Sequence, residues 1–303
     1  HGGHADVGRV LIARRERAYA INLDSQRLRA EAREREAVDA VNRFTDVVDE
    51  NPVLRDNPTL KPLRDALLKE PLAFYRGMTT RWLAERDTRL EALAGLAAAA
   101  FKLGRLTVEI SDKTNALRVL QEALSIFERL ARDNPAATNV QSNLATCHHA
   151  IGVLLSATGK PDEALAAYNR ALAIRERLAE ANPDVTEFQS RLAASHHNIG
   201  VLLSETGKPD EALAAYKQAL AIFERLAREH PESPEFASNL GGTLNSIALI
   251  ELVAKRYDRA RDLLREAVTR QKKAMAANPS NPDYRRFLKY HLTSLNDVAQ
   301  GLG

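Results

Sequence analysis

The stretch from Ser142 to Glu180, SNLATCHHAIGVLLSATGKPDEALAAYNRALAIRERLAE, returns with few changes from Ser190 to Arg228 as SRLAASHHNIGVLLSETGKPDEALAAYKQALAIFERLAR. Gly152 and Gly200, Pro161 and Pro209, and Tyr168 and Tyr216 each lie 48 residues apart. A fixed period of this size excludes most folds at once. Each copy is a small unit that cannot bury its apolar face alone, so copies must stack and share a core. The period also runs beyond the two best copies. Ala116, Ala164, Ala212 and Ala260 keep one slot, and Ala123, Ala171, Ala219 and Ala267 a second. Pro135, Pro183, Pro231 and Pro279 keep a third, preceded by Asn134, Asn182, His230 and Asn278. Leu144, Leu192, Leu240 and Leu288 mark the start of each unit. The register predicts four units, about 89–135, 136–183, 184–231 and 232–279, with the first helix of a fifth as a cap over 280–303.

Each unit reads as two helices. In the third, helix A is expected over 187–205, ending at Gly207, where a left-handed residue closes a helix without a Cβ penalty. Pro209 opens helix B, where its missing N–H costs nothing, and Asp210 and Glu211 suit the positive helix end. Helix B is expected to run to Glu229 and stop before Pro231. Ser233-Pro234-Glu235 and Asn281-Pro282-Asp283 then read as cap, first-turn proline and acid at the next helix starts.

One spacing inside the unit carries a resemblance: Gly200, Ala212 twelve residues on, Tyr216 four further and Ala219 three further. It resembles the tetratricopeptide repeat, in which a small residue, an aromatic knob and two alanines let paired helices approach to ~8–10 Å. That repeat is ordinarily ~34 residues long, so helices lengthened by about two turns at each outer end are expected here. The resemblance covers residues 89–300 and weakens in the outer units. Leu120 and Ser111 replace the aromatic and the turn glycine in the first, and Ala248, Leu264 and Lys255 replace glycine, tyrosine and turn glycine in the fourth. It implies an all-α, right-handed α-solenoid of four helix pairs.

Residues 1–50 read as a charged N-terminal stalk with one long helix from residue 5, in which Arg27, Arg29, Arg33 and Arg35 alternate with Glu31, Glu34 and Glu36. Val38, Val41, Phe44 and Val48 give it a thin apolar stripe, which suits a coiled-coil stalk or a connector stopped at Asn51-Pro52. Residues 51–88 read as a helical bridge that caps the array, with Pro71 interrupting or restarting it and Phe74, Tyr75 and Trp82 supplying aromatic bulk. The Arg/Glu helix, this bridge and the repeats together are similar to the C-terminal region of large bacterial membrane-anchored serine/threonine protein kinases. That resemblance implies a sensor or docking region, extracytoplasmic, tethered through upstream sequence. No Gly-rich phosphate loop, His-Arg-Asp or Asp-Phe-Gly motif is present, so the chain itself is expected not to be an enzyme.

Composition narrows the remaining chemistry. The 43 basic and 40 acidic residues are interleaved, giving a net charge of +3, whereas a nucleic-acid surface would cluster its cations. Cys147 is the only cysteine, which excludes an intramolecular disulfide and a Cys-based zinc site. No apolar run approaches the ~20 residues of a membrane span. Val7–Ala13 runs directly into Arg14, Arg15 and Arg17, unlike a secretory leader, and the start at His1 suggests a piece of a longer protein.

The paired histidines His148-His149 and His196-His197 occupy equal slots of neighbouring A helices. They either pack and line a groove or hold a metal, which would need further ligands that the sequence does not supply at suitable spacing. Neither metal nor cofactor is expected. Cys147 and His148 are adjacent on a helix, so their side chains diverge by about 100° and cannot act as a nucleophile–base pair. What remains is a surface. In the family resembled, A helices line a concave face that holds peptides. Slot by slot, this stripe is Phe101, Arg105 and Val108, then His149, Val153 and Ser156, then His197, Val201 and Ser204, then Asn245, Leu249 and Leu252. The expectation is a protein-interaction scaffold with a protein or peptide partner.

Overall fold

The computed structural model describes residues 57–85 and 113–301 continuously, together with Phe101 and a set of positions between Tyr19 and Leu54. The chain divides into two compact units, His1–Pro71 and Leu72–Gly303.

In the first unit the residues described from Tyr19 to Val48 are helical, and Thr45 and Val48 are buried. The portion of the expected stalk helix before Tyr19 lies outside the described residues. Asn51 ends the run as expected and starts the next turn: its Oδ1 accepts from the backbone N–H of Val53 (2.9 Å) and Leu54 (3.2 Å). Asn57 does the same for a 3-10 turn at Pro58–Leu60, accepting from Thr59 N–H at 3.0 Å.

Helix α1 (Lys61–Glu85) differs from expectation, because it runs straight through Pro71. A mid-helix proline costs ~3 kcal/mol through the lost N–H and a clash with the preceding turn. Here Pro71 falls on a single buried face with Leu68, Tyr75 and Met78, at helical spacing, and burial of that face offsets the break.

The second unit is an all-α solenoid of consecutively packed helix pairs: α2 (Lys113–Asp133), α3 (Thr138–Ala157), α4 (Pro161–Ala181), α5 (Thr186–Glu205), α6 (Pro209–Glu229), α7 (Pro234–Val253), α8 (Tyr257–Ala277) and α9 (Pro282–Gly301). No strand occurs among the described residues. The A helices α3, α5 and α7 have 20 residues each and the B helices α4, α6 and α8 have 21. The first repeat's A helix lies outside the described residues apart from Phe101.

Two turns repeat, each with a physical cause. Between A and B, Gly159 and Gly207 take φ +75° and +76°. The following N–H groups of Lys160 and Lys208 then reach back to Leu155 and Leu203 carbonyls at 3.0 and 2.9 Å, closing the helix. In the fourth unit Lys255 holds the same turn at φ 58°. Between B and the next A, the carbonyls of Asn134, Asn182, His230 and Asn278 accept from the N–H three residues on, at 3.0–3.3 Å. Pro135, Pro183, Pro231 and Pro279 therefore sit at the second position of a β-turn, where their fixed φ is pre-set.

The core lies between helices and continues from unit to unit. Ala164, Ala212 and Ala260 are wholly buried, as are Ala171, Ala219 and Ala267. One apolar cluster runs from Ala116 and Leu120 through Tyr168 and Tyr216 to Ile247 and Ile250, so neighbours share a core. Three polar residues break the apolar pattern. Phe127 and Phe223 share their buried slot with Arg175 and Gln271, and Glu251 stands where Leu155 and Leu203 stand. Gln271 is satisfied by Ser238 Oγ and the Tyr284 carbonyl, each at 3.0 Å. The buried Glu251 carboxylate pairs with Arg256 and with Arg259, the latter at 3.4 Å.

Candidate functional site

The expected stripe is positioned by the contact between helix A and helix B. Gly152 lies so close to the Tyr168 ring that a Cβ there would stand 2.6 Å from two ring carbons, and Gly200 stands in the same relation to Tyr216. No real Cβ tolerates that distance, so glycine sets the approach and the ring fills the space beside it. In the fourth unit both partners change together: Ala248 and Leu264 replace them, and both are fully buried.

The same tyrosines carry the histidines. His149 and Tyr168 have ring centroids 5.3 Å apart, and His197 and Tyr216 5.4 Å. Neither histidine meets its counterpart in the next unit. His149 Nε2 lies 3.5 Å from Asn198 Nδ2, and His197 Nδ1 lies 3.2 Å from Thr243 Oγ1. Burial lowers His149 and His197 to about 4, helped for His149 by nearby Arg175, so both rings are neutral near pH 7. His148 is also buried and lowered to about 4, first by desolvation and then by Arg170. Burial pushes the Cys147 thiol up to about 12, which keeps it protonated and unreactive. Among the described residues no three His, Cys, Asp or Glu side chains gather as a metal site requires.

The remaining stripe residues are distributed unevenly. Val153 is 46% exposed and Ser204 is exposed, Ser156, Val201 and Leu249 are half-buried, and Asn245 is buried at 2%. Phe101 is half-buried against the core, and Arg105 lies outside the described residues. The open or half-open positions of the A helices recur with helical spacing at 139, 143, 146, 150, 153 and 157, repeating at 187–205 and 235–253. The line therefore includes Thr146, Ala150 and Ala157 and their equivalents, which the sequence reading left out. The signal was available as an i, i+3, i+4 pattern of small and polar residues. It was obscured by the histidines one position away, which turn toward tyrosine and the neighbouring A helix.

Across three units the 153 slot is apolar throughout, as Val153, Val201 and Leu249, and Val253 is 83% exposed at the end of α7. On the same open line Glu187 is held by Arg191 at 2.6 Å, whereas Glu205 and Glu235 are exposed and form no ion pair among the described residues. Arg191 also donates to Thr146 Oγ1 across to α3 (3.3 Å), tying two A helices together at this surface.

Residues 144–184, 192–232 and 240–283 match the family model of the tetratricopeptide repeat. Those three stretches are thus similar to the tetratricopeptide repeat, and helices stand in the places that the repeat requires. No curated protein matches the sequence. Among solved structures the chain is similar to BtubC from P. vanneervenii, at 16% identity and a TM-score of 0.52 over 77% of this chain and 90% of that one. It is similar also to a putative kinesin light chain of nearly identical TPR-like repeats from Podosopora anserina, at 18% identity and TM-score 0.52 over 80% and 96%. Aspartyl phosphate phosphatase F from Bacillus subtilis gives a TM-score of 0.54 at 15% identity, over 80% of this chain and 57% of that one. At such identities the likeness is one of fold.

Proposed function

We propose that the array is a non-catalytic protein-interaction scaffold, whose A-helix face takes an extended segment of a partner protein. The observation that carries this reading is the apolar slot Val153, Val201 and Leu249 on three consecutive A helices, standing in a half-open line of mostly small and polar residues. Packed helices stand ~8–10 Å apart, close to the ~9 Å over which a polyproline-type segment advances in three residues. A partner with an apolar side chain at every third position suits that spacing, and a basic residue beyond the last suits exposed Glu205 and Glu235. His149 and His197 shape the floor of this face through their tyrosines, and Ser156 and Ser204 supply its polar rim.

The test is a displayed library of random 15-residue peptides panned on the full chain. Recovered binders should lose at least tenfold in affinity when Val201→Asp and Leu249→Asp are combined, with helicity unchanged. Binders indifferent to that pair overturn the reading. The narrower reading, a docking region of a bacterial membrane-anchored serine/threonine kinase, is supported by the similarity of stalk, bridge and repeats taken together. Upstream sequence bearing an apolar span and kinase motifs is the outcome it requires. Among the described residues no helix is long and apolar enough to cross a membrane.

A further inference from the structure

Each of the A helices α3, α5 and α7 turns one face to its own helix B, and contacts mark the slots of that face. A Cβ on Gly152 or Gly200 would meet the Tyr168 or Tyr216 ring, and one on Gly241 would stand 3.0 Å from the Ala267 carbonyl. Leu240 and Leu244 share a core cluster with Ala219 and Ala267. Carried forward in steps of 48 residues, these slots are Asn296, Lys289, Leu288 and Leu292 on α9. No helix stands on that face among the described residues. A shallow open hollow runs along it, lined by Arg285, Leu288, Lys289, Leu292, Thr293 and Asn296. Leu292 is 44% exposed. Arg285 and Lys289 are exposed and form no ion pair among the described residues, whereas Arg286 holds Asp283 at 2.9 Å. Apolar side chains rimmed by unpaired cations suit an acidic amphipathic helix. Lys289 and Asn296 replace the small residues that let helix B come close, so a helix on α9 must sit farther out, with small residues against the lysine.

The other compact unit of the chain presents such a helix. The described residues between 36 and 48 are helical and carry two apolar stripes. Val38, Val41, Thr45 and Val48 are buried or half-buried. Ala37, Ala40, Phe44 and Val47, at i, i+3, i+7 and i+10, are all exposed, Phe44 at 45% and Val47 at 66%. Glu36 and Asp39 are exposed one position before the two alanines. The sequence from 36 to 50 holds five acids against one base. Both faces are bare in the single chain, so another copy is what can bring them together.

We propose that copies of this chain associate through these unlike faces, the 36–48 helix of one copy lying on the bare face of α9 in another. Phe44 and Val47 cover Leu288 and Leu292, and Glu36 and Asp39 neutralise Arg285 and Lys289, with Ala37 and Ala40 leaving room for the lysine. One short helix on one open face is a small contact, so the association belongs to high protein concentration.

The experiment measures the weight-average mass of the full chain by sedimentation across a range of concentrations. The wild-type mass should rise from that of one chain by about twofold or more. Arg285→Glu combined with Lys289→Glu should hold the mass at one chain, and so should Glu36→Lys combined with Asp39→Lys; all four positions are exposed, so folding is spared. An equimolar mixture of these two variants should associate again, because each reversed face then meets its opposite. Leu292→Asp should also abolish association. A wild-type mass that stays flat overturns the proposal, as does association that survives in either reversed variant or in Leu292→Asp, or a mixture that stays at one chain. The Val201→Asp, Leu249→Asp chain should associate like the wild type; if it does not, the contact lies on the A-helix face and the proposal fails, while the peptide-binding reading stands on its own test.

Discussion

Several of the chain's eight histidines lie against neighbouring helices, away from water. Four of them, His148, His149, His197 and His291, are held neutral, each lowered to about 4, with burial as the first cause. Among the described residues His291 has no hydrogen-bond partner at either ring nitrogen. An unfolded histidine titrates near 6.5, so between that value and about 4 the unfolded chain binds more protons than the folded one. The stability these rings support is complete above the unfolded value and is lost as pH falls toward 4. The unfolding free energy read from urea melts should fall from pH 7 to pH 5, by up to about 2 kcal/mol for each of these rings. Replacing His148 and His291 by glutamine should flatten the slope; a midpoint independent of pH would contradict their burial. The doubled histidines were visible in the sequence, but their direction was not. Whether His149 faces solvent or Tyr168 depends on how near the Gly152 backbone comes, which no spacing reveals.

At the level of the element, the turns were the most legible part of the chain. Glycine before Lys-Pro, and Asn-Pro before the next helix, fix φ by covalent structure and sterics, and the helices begin and end within a residue or so of where these predict. Pro71 went the other way, because a buried face over several turns outweighs one local preference. Lys255 is the informative exception among the turns. At φ 58° it pays the left-handed cost that Gly159 and Gly207 avoid. Lys255→Gly should therefore stabilise the chain by about 0.5–1 kcal/mol, read as a higher urea midpoint. A lower midpoint would mean that the lysine side chain contributes more than its backbone loses.

For the whole molecule, a repeat array depends on nearest neighbours, and its stability is roughly a sum of units and interfaces. The repeat, its period and the all-α solenoid could be read directly, because a period survives even where single slots vary. The polar substitutions could not be weighed in advance, since Arg175 and Glu251 acquire meaning only from what the next helix along the chain brings to them. Deleting residues 1–50 should leave the helical signal per residue and the urea midpoint of the array unchanged, because the shared core runs between Ala116 and Ile250. A joint loss of helicity on truncation would show that the array borrows its stability from the N-terminal segment.

The matched exchange of Gly200 and Tyr216 for Ala248 and Leu264 bears on how such a chain changes over time. Either substitution alone leaves a clash or a void, and so must pass through a weakened protein. Both partners lie inside one 48-residue block. Copying a whole block carries the compatible pair together, whereas point changes must find it twice. Duplication is thus the gentler road for this sequence, and the near-identity of its second and third units is what that road leaves behind.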